Sequence, residues 1–220
     1  MDLGKSFSFV FEDEQWVKKL LIGGIVSIVP VLNLAAIGYA LRTLRNVAAD
    51  QPRPLPEWDD LGGDWVRGLA TAVAGFIYAL PLLIVLVPVI ILTALLGGQN
   101  GNGDAFVGTV LLAGPSCLAL PYGLLVSAWM PAAMARYAVD GEFVAFFRFR
   151  EIWRLIARNP GSYVIAVLVY LIVGQIASMV GALVLFIGAA FTGFWASLLG
   201  AHLFGQLARG DTNRPPVAAV

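Results

Sequence analysis

The sequence predicts an all-α, polytopic integral membrane bundle: four full spans plus a proline-broken N-terminal hairpin, or five spans, flanked by amphipathic interfacial helices. Composition is the first reason. The chain is 59% hydrophobic and 13% charged, with a mean hydropathy of +0.82, whereas a soluble domain carries about 25% charged residues. The second reason is where the charges are missing. No Asp, Glu, Lys or Arg occurs from Leu20 to Leu41, Gly68 to Gly103, Ala105 to Ala135, or Asn159 to Ala208. A spanning helix needs about 20 apolar residues at 1.5 Å rise each, so every run is long enough. The third reason is that arginines collect between these runs, as they do in the cytoplasmic loops of membrane proteins.

In chain order, the first run raises a conflict. Lys18 and Lys19 precede it and Arg42 and Arg45 follow it, so both ends favour the cytoplasm. Yet Leu20 to Leu41 is about 33 Å long as a helix, which is one crossing. A re-entrant hairpin broken at "VPVLN" resolves this, because Pro30 removes a backbone donor and Asn33 can satisfy a freed group. The alternative places the tail bearing Glu12, Asp13 and Glu14 outside and breaks the rule by two lysines. The hairpin is favoured.

Gly68 to Leu96 would make a helix of about 43 Å, one tilted or kinked span. "GGQNGNGD" then signals a loop, and Phe106 to Ala135 returns. Prolines 81, 88, 115, 121 and 131 interrupt both middle spans. Such breaks can mark transporter substrate sites or simply be tolerated. Asn159 to Ala208 would be about 75 Å as one helix, so it must fold back. The turn is placed between Val180 and Ala190, near Gly181 and Gly188.

The whole reads as one helical membrane domain over 1–209, with spans at about 20–41, 68–96, 106–135, 161–182 and 187–208. Interfacial segments fall at 5–19, 52–67 and 142–158, and 210–220 reads as a disordered tail. Arg42, Arg45, Arg53 and Arg67 mark one cytoplasmic segment, and Arg136, Arg148, Arg150, Arg154 and Arg158 another. The loop around Asn100 lacks basic residues and lies outside, and the tail with Arg209 and Arg214 returns inside. The first apolar run starts only after the acidic "FEDE", which is unlike a cleaved signal peptide. Zero net charge implies no bulk attraction to nucleic acid. Cys117 is the only cysteine, and a buried, unreactive thiol is expected.

"FSFVFEDEQWVKKLLIGG" and "FFRFREIWRLIARNPGSY" look like an internal repeat, each running from Phe-rich and charged, through a Trp, to basic. In the second, Phe146, Phe149, Trp153 and Ile156 share one helical face, away from Arg148, Glu151, Arg154 and Arg158. A helix of this kind lies in the membrane interface, its arginines among the headgroups and Trp153 below them. Either plain positive-inside anchoring or an anionic-lipid site would account for Arg148, Arg150, Arg154 and Arg158.

These segments, with "GYALRTLRN", "LPEWDD" and the closing "HLFGQLAR", resemble a group of small prokaryotic membrane proteins known only as a domain of unknown function. The resemblance covers about Phe7 to Arg209, and "LPEWDD" is its most specific piece. It implies a multi-pass protein of the cytoplasmic membrane of a bacterium or archaeon. It implies no activity, and no site residue can be carried over.

"PEWDDLGGDW" holds four carboxylates and two tryptophans. Asp59, Asp60 and Asp64 read as D-D-x-x-x-D, which resembles the aspartate-rich motifs that hold magnesium pyrophosphate in prenyl-transferring membrane enzymes. Hard cations do want several carboxylate oxygens. Those enzymes, however, have two such motifs, and Asp104, Asp140 and Asp211 are single here. The plainer reading explains more. Pro52, Pro54 and Pro56 hold an extended approach, Asp60 or Asp64 caps the next helix, and Trp58 and Trp65 are headgroup-level anchors.

His202 is the only histidine, so a multi-histidine metal site within the chain is excluded. It reads as a hydrogen-bonded structural residue rather than a proton relay. Gln175 reads as interhelical glue or a path-lining amide, and Asn33 as the repair of the Pro30 break. Ala189, Gly193, Ser197, Ala201 and Gly205 recur every fourth residue, as do Gly174, Ser178 and Ala182. That spacing suits close packing of the last two spans or a homo-oligomer.

Three functions remain compatible. The favoured one is a non-enzymatic protein that organises lipid, anionic lipid included, or an unknown membrane partner. The others are a small transporter or channel subunit for a neutral or amphipathic solute, and a metal-dependent enzyme acting on lipid phosphates through Asp59, Asp60 and Asp64. No cofactor is implied.

Overall fold

A computed structural model describes residues 1–96, 104–183 and 187–209. Among them are eight α-helices: α1 (Leu3–Ser8), α2 (Trp16–Ile28), α3 (Asn33–Ala48), α4 (Leu61–Leu96), α5 (Asp104–Asp140), α6 (Phe149–Arg158), α7 (Pro160–Leu183) and α8 (Ile187–Ala208). A short 3-10 helix covers Phe143–Phe147. The all-α class therefore holds. By length and composition, two helices among the described residues could cross a membrane, over Leu61–Leu92 and Pro160–Leu183. The expected Gly/Asn loop at 97–103, the turn at 184–186 and the tail at 210–220 lie outside the described residues.

The first apolar run divides at Pro30. Val29 turns extended after α2 (φ −85, ψ 116), and α3 starts four residues later at Asn33. Two donors serve this break. Asn33 Nδ2 donates to Ser27 O at 3.2 Å, and the Trp65 indole donates to Val31 O at 2.8 Å. Helix α3 then continues past the expected end at Leu41, which puts Arg42 and Arg45 on a helix rather than in a loop.

The expected interruption of the middle spans is corrected. Helix α4 runs through Pro81 and Pro88 without a break, and α5 is likewise one helix. A proline forfeits one backbone bond and crowds the preceding turn, but the rest of a long ladder can hold the helix together.

The described residues form two compact units. In the first (Met1–Ala72 with Pro131 onward), α8 is the central helix, and α7, α3, α2 and α1 all pack against it. Phe194, Leu198, Leu199, Leu203 and Phe204 of α8 are buried there. Helix α3 meets the start of α4 backbone to backbone. A Cβ on Gly38 would lie 1.8 Å from Asp64 O, and one on Gly68 would lie 1.8 Å from Leu34 O, so neither site admits a side chain. In the second unit (Val73–Met130), Tyr122 Oη donates to Tyr78 O at 2.6 Å and Trp129 Nε1 to Tyr78 Oη at 3.1 Å. Cys117 is exposed, not buried as expected.

Candidate functional site

The segment before α4 is an extended strap held by side chains. Pro52, Pro54 and Pro56 remove alternate N–H donors and favour an extended backbone, so the strap's carbonyls need outside donors. Four successive carbonyls find them on α2 and α3. Asn46 Nδ2 donates to Pro54 O (2.9 Å), Lys19 Nζ to Leu55 O (3.2 Å), Tyr39 Oη to Pro56 O (2.7 Å) and Arg42 Nη2 to Glu57 O (2.7 Å). Trp58 closes the strap by stacking on Tyr39 at 4.2 Å and donating its indole N–H to Lys19 O at 3.1 Å.

The four carboxylates of "PEWDDLGGDW" are each matched to a cation. Asp64 has no exposed surface; its Oδ2 lies 2.7 Å from Arg42 Nη2 and its Oδ1 3.0 Å from Arg67 Nη1. Asp59 pairs with Arg42 Nη1 at 2.9 Å, Asp60 with Arg67 Nη1 at 3.1 Å, and Glu57 with Lys19 Nζ at 2.8 Å. Asp60 also caps α4, accepting from the Gly63 amide at 2.9 Å. Lys19 in turn meets Asp13 at 2.8 Å.

Titration follows from these partners. The Arg42 guanidinium holds the Asp59 carboxyl below the usual range. The Gly63 amide, and then Arg67, do the same for Asp60. Burial pulls the Lys19 ammonium down, but bonds and charges from Asp13 and Glu57 outweigh it and the net shift is upward.

Chemically, this is a neutralised knot. A cation seeking Asp59, Asp60 and Asp64 would have to displace two guanidiniums, one of them half-buried against Asp64. Among the described residues, no group of three or more His, Cys, Asp and Glu side chains is placed to hold a metal ion.

A second charge network joins the end of α5 to α6. Arg136 is 5% exposed; it meets Asp140 at 3.0 Å and also reaches Glu151. Arg148 bridges to Asp140 at 3.0 Å and to Glu142. The expected single aromatic face over 146–156 is corrected here. Phe146 belongs to the 3-10 helix and is buried, stacked on Tyr137 at 4.4 Å. Helix α6 turns Ile152 and Leu155 inward instead, leaving Phe149, Trp153, Arg150, Arg154 and Arg158 exposed.

His202 is buried beneath α1. Its Nδ1 lies 2.9 Å from Ser6 Oγ and 2.9 Å from Gln206 Nε2, and its ring stacks on Phe9 at 4.3 Å. The small-residue positions separate. Ala201 is buried, and Gly205 packs on Val47 and Leu44 of α3, whereas Ser197 is only half-buried. A Cβ on Gly174 or Gly193 would meet nothing within 4 Å, and Ser178 and Gln175 are exposed. The close approach of α7 to α8 is at Gly181, where a Cβ would meet the Ala189 backbone at 2.3 Å.

A family model described as a protein of unknown function (DUF4013) matches residues 22–186. The chain belongs to the DUF4013 family. The DUF4013 match takes in Arg42, Asp59, Asp60, Asp64, Arg67 and all of α6, and leaves out Asp13, Lys19 and His202. No curated protein and no solved structure matches the chain.

Sequence reasoning missed Lys19, Tyr39, Arg42 and Asn46 as the holders of the strap. One signal was present: acidic 57–64 faces a basic helix end at Arg42 across a short linker, and opposite charges beside apolar runs tend to pair.

Proposed function

We propose that this DUF4013 protein is a multi-pass protein of the cytoplasmic membrane of a bacterium or archaeon. In this reading it is non-enzymatic and organises lipid or a partner complex. The observation that carries this is the reversed polarity of its first unit. Asp64, Lys19 and Arg136 are 0%, 4% and 5% exposed, while Met179 and Leu183 on α7 are 74% and 81% exposed. Water would favour the opposite arrangement. A bilayer around α7 favours this one, since apolar side chains face lipid at no cost and the charges at its boundary are paired inside the bundle.

Helix α2 supports the same reading. Val17, Leu21, Ile25 and Ile28 form an exposed apolar stripe along one side, set opposite the face that packs on α8. On this account α2 and α3 form the N-terminal hairpin, and α4, α5, α7 and α8 are the four full spans. The Arg-rich segments lie at the cytoplasmic face.

Fractionation tests this. The full chain, expressed in a bacterial host, is expected to stay in the membrane pellet after alkaline carbonate extraction and to enter solution only with detergent. Recovery in the carbonate supernatant would overturn it.

A further inference from the structure

Helix α6 distributes its charges unequally. At 100° per residue, Ile152 and Leu155 point inward and Glu151 reaches Arg136. Just before the helix, Arg148 is held by Asp140 and Glu142. The outer half carries two parallel rows instead. Phe149 and Trp153, four residues apart, are 56% and 63% exposed. Beside them, Arg150, Arg154 and Arg158 follow at the same spacing and are exposed. Neither Arg150 nor Arg154 has an acidic partner among the described residues, and Asp140, Glu142 and Glu151 of the network nearby are taken by Arg136 and Arg148.

An exposed pair of large aromatics is costly in water, and beside the Arg150 and Arg154 guanidiniums it is well placed at a bilayer surface. Aromatic rings settle at headgroup depth, and guanidiniums fork onto phosphate oxygens. Position agrees with chemistry, because α6 ends at Arg158 and the apolar helix Pro160–Leu183 begins two residues later. We infer that the Phe149/Trp153 and Arg150/Arg154 face of α6 is a binding surface for anionic phospholipid headgroups of the leaflet that α7 enters. This rests on the membrane reading above. The rows divide the work: Phe149 and Trp153 set the depth of α6, and Arg150 and Arg154 select negative lipid over zwitterionic lipid.

The test uses the full chain in non-ionic detergent, titrated with phosphatidylglycerol, phosphatidylcholine or inorganic phosphate, with thermal unfolding as readout. Phosphatidylglycerol is expected to raise the melting temperature, whereas phosphatidylcholine and phosphate are not. Neutralising the pair (Arg150→Gln with Arg154→Gln) is expected to weaken the apparent phosphatidylglycerol affinity about 25-fold, at about fivefold for each arginine. The charge-keeping pair Arg150→Lys with Arg154→Lys should retain most of it, and Arg45→Gln, an exposed cation on α3, should retain all of it. The inference is overturned by an undiminished phosphatidylglycerol shift in the glutamine pair. It is equally overturned by an equal shift with phosphatidylcholine or phosphate alone. Carbonate extraction of the membranes from which the wild type is solubilised separates the two claims: a soluble chain sinks the membrane reading, while a membrane-bound chain without lipid selectivity sinks only this one.

Discussion

Asp64 Oδ2 accepts a hydrogen bond from Arg42 Nη2 at 2.7 Å, and this contact locks the first turn of α4 to α3. The same guanidinium reaches Asp59 and the Glu57 carbonyl, so one side chain joins the strap, the cap and the helix. Gly38 and Gly68 permit it, since the two backbones could not approach this closely with side chains between them.

Removing the buried partner should therefore be severe. Asp64→Ala removes the buried carboxylate that both guanidiniums share, leaving Arg42 with Asp59 and Arg67 with Asp60. Because both arginines reach solvent, the cost should approach, but stay below, the about 3–5 kcal/mol of a fully buried pair. Chemical unfolding in detergent should register that loss. Asp59→Asn, at the solvent end of the same arginine, should change stability far less.

Acid should act through the strap. Asp59 and Asp60 titrate below their unfolded values, so the folded state binds their protons less readily than the unfolded chain does. Their contribution is complete above the unfolded carboxyl pKa of about 4 and is lost as pH falls through the lower folded values. The melting temperature is expected to drop below about pH 4, and an Asp59→Asn/Asp60→Asn variant should show a shallower drop over that range.

Divalent cations should have no specific effect. Because Arg42 and Arg67 occupy Asp59, Asp60 and Asp64, millimolar Mg²⁺ or Mn²⁺ should leave the melting temperature where it is. A metal-dependent rise in the wild type that disappears in Asp59→Asn/Asp60→Asn would revive an aspartate metal site.

Glycine positions should divide by contact. Gly38→Ala drives a methyl group into the Asp64 carbonyl and should cost about 1–3 kcal/mol or more. Gly174→Ala enters open space and should cost nothing measurable. Parallel melts of the two variants would check both.

What could be read from the chain follows from which signals are local. The break at Pro30 and the apolar run of α7 were legible, since a missing donor and a charge-free stretch act where they stand. The cap at Asp60 was legible for the same reason. Burial of Lys19 was not. It reads as a flanking interfacial lysine, and only the strap folding back over it supplies Leu55 O and Glu57, which join Asp13 from the turn before α2. Phe146 was misplaced because periodicity assumes one continuous helix, whereas a 3-10 turn before α6 resets the phase. The spacing of Gly174 and Gly193 suggested packing, but a small residue only permits a neighbour. Helix α7 approaches α8 at Gly181, whereas Gly205, one of the positions the spacing did single out, packs on α3.

The central claim is that the α7 surface bearing Met179 faces lipid while α6 faces the aqueous boundary. Single cysteines at these two positions, Met179→Cys and Arg150→Cys, in a Cys117→Ser background, test it most directly with a membrane-impermeant maleimide. In inverted membrane vesicles the cysteine at 150 should label and the cysteine at 179 should stay unreactive until detergent is added. Rapid labelling at 179 in intact vesicles would contradict the account.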